Sequence, residues 1–138
     1  MSTESLTPQE ALIFSMITIS AVDREISDEE LRRIGSIVAE LPPFTGYNKD
    51  WLVDEAQACG RFLAKPDGLK TVLSLIKAAL PERLYETAYV LAAEVAASDL
   101  EVRAEEVRCL ELLAEALELD KLTCAALERA ARARHQTV

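Results

Sequence analysis

Asp23-Arg24-Glu25-Ile26-Ser27-Asp28-Glu29-Glu30-Leu31 is followed 76 positions later by Asp99-Leu100-Glu101-Val102-Arg103-Ala104-Glu105-Glu106-Val107. Ala21, Asp23, Glu25, Glu29, Glu30, Arg32 and Leu41 recur unchanged as Ala97, Asp99, Glu101, Glu105, Glu106, Arg108 and Leu117. Ile26, Leu31, Ile34 and Ile37 keep their apolar character as Val102, Val107, Leu110 and Leu113. After each acidic stretch the apolar residues recur every three or four positions, the spacing of one helix face. Before each lies an apolar run suited to a buried helix. The chain therefore reads as two copies, about 11–41 and 87–117, of a helix–acidic loop–helix unit. A two-helix unit cannot bury its apolar face alone, so the copies are expected to pack together with pseudo-two-fold symmetry.

Working outward, Thr7-Pro8-Gln9-Glu10 has the form of a helix start, with Thr as N-cap and Pro at the first helical position. The helix it opens runs to about Ala21, is apolar nearly all round, and is expected at the centre of the core. The second helix starts near Asp28 and is stopped by Pro42-Pro43. Asn48 caps a third from about Lys49 to Ala64, and Pro66-Asp67-Gly68 turns the chain into a fourth. Pro81 opens a fifth, Tyr85 to Ala97; the sixth follows the second acidic stretch; Asp120 caps a seventh, Lys121 to Arg134. No segment sustains the period-two alternation of a half-buried strand. The reading is all-α, a single domain of about seven helices over residues 1–138.

The chain carries 24 acids against 15 bases, a net charge of −9. That field repels phosphate backbones and excludes a nucleic-acid partner, while it suits cations or a basic protein surface. Three cysteines (Cys59, Cys109, Cys124) form no close-spaced pair, which argues against a disulfide framework and for a reducing cytoplasm. On predicted helices they read as small buried hydrophobes. The weakly polar run Ala88 to Ala97 is broken by Glu94 and too short to span a bilayer, so no direct membrane insertion is expected. Trp51, beside Phe44 and Tyr47, is expected to pack its loop against the core.

The acidic stretches support two readings. Ser27-x-x-Glu30 is a capping box, flanked by Ile26 and Leu31 at the positions of a hydrophobic staple. In the second copy Arg103 replaces the serine, so no box is expected, yet Glu106 and the staple pair Val102 and Val107 remain. Asp99 and Glu101 also lie upstream of the helix they precede, where capping explains them less well. Carboxylates so placed can converge on a hard cation, which takes oxygen ligands. In this reading Asp23, Glu25, Glu30, Asp99, Glu101 and Glu106 bind a divalent ion, Ca²⁺ or Mg²⁺ in preference to Zn²⁺, since His135 is the single histidine. The loop lacks the length and glycine of an EF-hand. The other reading is a metal-free helical adaptor or homo-oligomer whose acids are helix starts and a negative docking surface, with Arg24 and Arg103 as internal counter-ions. No nucleophile–base set or phosphate-cradling glycine loop is visible, so neither reading is enzymatic.

An apolar helix ending in Ala-x-Asp, then x-Glu-Ile/Val, then Glu-Glu opening a second helix resembles the TerB-like tellurite-resistance family. It also resembles the related N-terminal domain of some membrane-anchored DnaJ-type co-chaperones. The resemblance spans Leu12 to Leu41 and Tyr85 to Leu122 and implies an all-helical fold. It pairs Asp23 with Glu30 and Asp99 with Glu106, with Glu25 and Glu101 as accessory acids. Both copies depart from the family's Ala-Asp-Gly phrase, with Arg24 and Leu100 at the glycine position. The resemblance implies a non-enzymatic cytoplasmic stress-response protein that binds metal and works with protein partners, some of them membrane-embedded.

Overall fold

The first helix forms where its cap signals place it. Thr7 Oγ1 accepts the Glu10 amide at 3.1 Å and Glu10 Oε1 accepts the Thr7 amide at 2.8 Å, closing a capping box. The computed structural model describes residues 5–22, 25–98 and 102–138. It contains α1 (Pro8–Ala21), α2 (Asp28–Glu40), α3 (Leu52–Leu63), α4 (Gly68–Ala79), α5 (Tyr85–Ala97), α6 (Ala104–Ala116) and α7 (Lys121–Arg134). Short 3₁₀ turns at Pro42–Phe44, Lys49–Trp51 and Glu82–Leu84 join some of them, and no strand occurs among the described residues.

Every residue from Ala11 to Ser20 is buried, as an all-round apolar helix must be. Ser15 returns its hydroxyl proton to the Ala11 carbonyl at 2.9 Å, which lets a polar side chain sit inside. α1 packs on α5 and is covered by α3 and α4, while α7 covers α5. Each unit's first helix touches its own second helix, α1 on α2 and α5 on α6. Each also touches the second helix of the other unit, α1 on α6 and α5 on α2. That exchange of partners is how two copies of a helix pair bury faces neither can bury alone.

The structure corrects two details. Asn48 Oδ1 accepts the Asp50 amide at 2.9 Å and so closes a 3₁₀ turn, delaying α3 to Leu52. Trp51 does not pack into the core: it is 53% exposed, while Phe44 is 3% exposed. Phe44 enters the core from this loop, and Tyr47 packs partly against it. The Trp51 ring meets Tyr47 edge-on at 5.3 Å between centroids. At Gly68, where the chain turns from α3 into α4, an added Cβ would lie 2.2 Å from the Phe62 carbonyl oxygen.

Candidate functional site

The first acidic stretch is built around the start of α2. Glu30 is only 6% exposed, and its Oε1 accepts both the Ser27 amide and the Ser27 hydroxyl at 3.0 Å. Ser27 Oγ in turn accepts the Glu30 amide at 3.1 Å, completing the box expected from Ser27-x-x-Glu30. Glu25 is exposed.

The second stretch keeps half of the same device. A box was not expected with Arg103 at the N-cap, yet Glu106 Oε1 accepts the Arg103 amide at 2.9 Å. The carboxylate needs only the N-cap amide, which any residue but proline supplies. A guanidinium has donors only, so the reciprocal bond goes to the Arg103 carbonyl, which accepts the Glu106 amide at 3.0 Å. Arg103 Nη2 lies 3.6 Å from Glu106 Oε2, and Glu106 is fully buried. Helix initiation plus an internal cation thus accounts for Glu106.

Of the six candidate ligands, Asp23, Asp99 and Glu101 lie outside the described residues. The other three, Glu25, Glu30 and Glu106, divide between solvent and helix starts. Among the described residues no group of three or more His, Cys, Asp or Glu side chains is placed to hold a metal ion. A second guanidinium stands between the two units. Arg33 of α2 donates to Ser98 Oγ at 2.8 Å, where the second acidic stretch begins, and lies 3.6 Å from Glu29.

Two open grooves occupy equivalent places in the repeat. One, about 790 Å³, lies between the first loop and α3, with Ala21, Ile26 and Leu31 on its wall. The other, about 230 Å³, lies between the second loop and α7, with Ala97, Val102 and Val107 at the matching positions. Val102 and Val107, expected as a staple pair, are 52% and 47% exposed.

No protein-family model, curated protein or solved structure matches the chain. The TerB-like resemblance therefore stands on its quoted residues alone. Among the described residues no helix is long and apolar enough to cross a membrane.

A carboxyl cluster went unnoticed in the sequence because its members come from three separate segments. Glu55 of α3 faces Glu10 of α1, and Tyr47 donates its hydroxyl to Glu55 Oε2 at 3.3 Å. Burial first, and then the charge of Glu10, push the Glu55 carboxyl up to about 7. All three cysteines are buried free thiols. Burial pushes Cys59 up to about 11 and Cys109 up to about 12, which makes them poor nucleophiles at neutral pH.

Proposed function

We propose that the chain is a TerB-like helical interaction module whose acidic stretches start helices and present a negative surface, and whose work is to hold a protein partner. The observation that carries this reading is the commitment of Glu30 and Glu106 to the N-cap amides of Ser27 and Arg103. A carboxylate oxygen already accepting amide protons has fewer lone pairs for a cation. Arg103 beside Glu106 supplies positive charge from within the chain, so a second cation there meets repulsion. With a net charge of −9 the natural partner is basic.

The cation reading keeps one specific support. Glu106 Oε2 is buried and accepts no hydrogen bond among the described residues, and it follows Asp99 and Glu101 in the chain. One experiment separates the two: thermal unfolding of chelator-stripped protein with Ca²⁺, Mg²⁺, Mn²⁺ and Zn²⁺ at fixed ionic strength. The module reading expects midpoints that agree across the ions. An ion at a hundred times its dissociation constant would add about 2.7 kcal/mol. A shift of that size for one ion, abolished by Asp23→Asn or Asp99→Asn, would overturn the metal-free reading and establish coordination by the acidic loops.

A further inference from the structure

Each unit is followed by a helix that covers its first helix, α3 over α1 and α7 over α5. The two covers are fastened by different means. α3 buries Leu52, Ala56 and Cys59, and its Phe62 ring meets Phe14 of α1 at 6.3 Å between centroids. It is also packed against α2 and α4. α7 buries two small residues, Cys124 and Ala131, and turns Leu122 out to solvent.

What holds α7 down is polar. The Tyr89 hydroxyl of α5 donates to Glu128 in the middle of α7. At the far end Arg134 Nε donates to Glu94 Oε1, and His135 Nε2 lies 3.4 Å from the same oxygen. Glu94 interrupts the apolar run of α5, and its side chain is only 13% exposed. A groove of about 230 Å³ runs along the seam, between Tyr89, Ala93 and Ala96 of α5 and Glu128 and Arg132 of α7.

The two modes of fastening differ in what release costs. Lifting α3 strips an aromatic ring and a leucine from the core, and apolar area finds no substitute partner in water. Lifting α7 gives up bonds among Tyr89, Glu128, Glu94 and Arg134, all of which water can replace, and a small apolar area besides. Elements with few buried apolar contacts open at a lower free energy than the whole fold. We propose that α7 is a releasable strap, which lifts from α5 as one unit while α1 to α6 stay folded. Release turns a covered face of α5, with Tyr89 and its flanking alanines, into surface. The strap works independently of what the acidic stretches bind.

The chain carries its own probes: Cys124 lies on the strap, and Cys59 and Cys109 lie in the body, on α3 and α6, all buried free thiols. The full chain is incubated with iodoacetamide. Peptide mass spectrometry reads the rate at each cysteine, which is divided by the rate of the same cysteine in urea. Cys124 is expected to react about tenfold or more faster than Cys59 and Cys109, which wait for global unfolding. Cys124 sits about 15 Å along the helix axis from Arg134, at 1.5 Å per residue. Release as a unit couples it to that distant clamp, so Glu94→Gln and Arg134→Gln should each raise the Cys124 rate about threefold or more. Arg134 is exposed, so its variant folds even where Glu94→Gln does not. Arg108→Gln, which breaks an exposed ion pair on α6, leaves the Cys124 rate within about twofold.

Three thiols reacting at one rate overturn the proposal, since α7 then leaves only with the whole fold. A fast Cys124 that neither clamp variant accelerates also overturns it, reducing the motion to fraying of the first turn of α7. So does an acceleration by Arg108→Gln as large as that of the clamp variants, because an opening confined to α7 does not feel the ion pairs of the body.

Discussion

Glu30 and Glu106 hold the same place in the two units but face different partners, so their loss is expected to cost differently. Glu30→Ala removes a capping acceptor shared by the Ser27 amide and hydroxyl, at a cost of about 1–2 kcal/mol. Glu106→Ala removes the same kind of bond and also takes away the carboxylate that lies 3.6 Å from the Arg103 guanidinium. Its cost is expected to be the larger, about 2–3 kcal/mol, since Glu106 is fully buried and loses a charge contact as well as a cap. Urea unfolding of both variants checks the order; equal midpoints would show that the ion pair contributes nothing. The first box was legible in Ser27-x-x-Glu30, because the rule for it is written in side chains. The second was hidden because what the carboxylate uses is the backbone of Arg103, and a residue name says nothing of its amide. Glu55 was hidden for another reason: its neighbours Glu10 and Tyr47 come from distant segments, and only folding brings like charges together.

The helices themselves were the most legible level. α1, α2 and α7 begin where the sequence places them, because the caps Thr7, Ser27 and Asp120 act locally through the first turn. Local rules failed around Trp51, where Phe44 is buried and Tyr47 packs partly against the core while Trp51 stays exposed. Two glycines of the α3–α4 hairpin show how context reverses a substitution. Gly60 is exposed in mid-helix with open space above it, so Gly60→Ala is expected to stabilise by about 0.5–1 kcal/mol. Gly68 sits where an added Cβ would overlap the Phe62 carbonyl at 2.2 Å and the Leu63 Cα at 2.8 Å. Gly68→Ala must push the two helices apart and is expected to cost about 3 kcal/mol. Thermal midpoints moving in opposite directions would confirm the pair. A stable Gly68→Ala would mean that the hairpin yields, and that the close approach is not held by the core.

At the scale of the whole molecule, which helix covers which was beyond a one-dimensional pattern, since the stripe on α3 would fit α1, α5 or a partner equally well. What the sequence carried to this scale was charge, and charge sets the pH response. Glu55 is held up at about 7 against an ordinary 4.5, with Glu10, Asp54 and the Tyr47 hydroxyl around it. The folded state therefore binds a proton that the unfolded state releases, and stability falls as pH rises from about 4.5 to about 7. Asp120 works in the opposite sense: the Thr123 amide at 2.7 Å holds it below its ordinary 3.8, so its contribution is present above that value and lost in stronger acid. The two together place their combined maximum between the ordinary values of the two groups, 3.8 and 4.5. Glu55 is only part-buried, so solvent screening leaves an effect on the order of 1 kcal/mol. Glu55→Gln keeps an acceptor for Tyr47 while removing the charge. It is expected to stabilise by about that amount at pH 8, to change nothing at pH 4, and to flatten the slope between. Denaturant unfolding across that range decides the matter. A wild-type slope that survives in Glu55→Gln would move the titrating group elsewhere, to the self-repulsion of a chain whose net charge is −9. Added salt would then flatten the curve, whereas a part-buried Glu10–Glu55 pair should hold most of its slope as ionic strength rises.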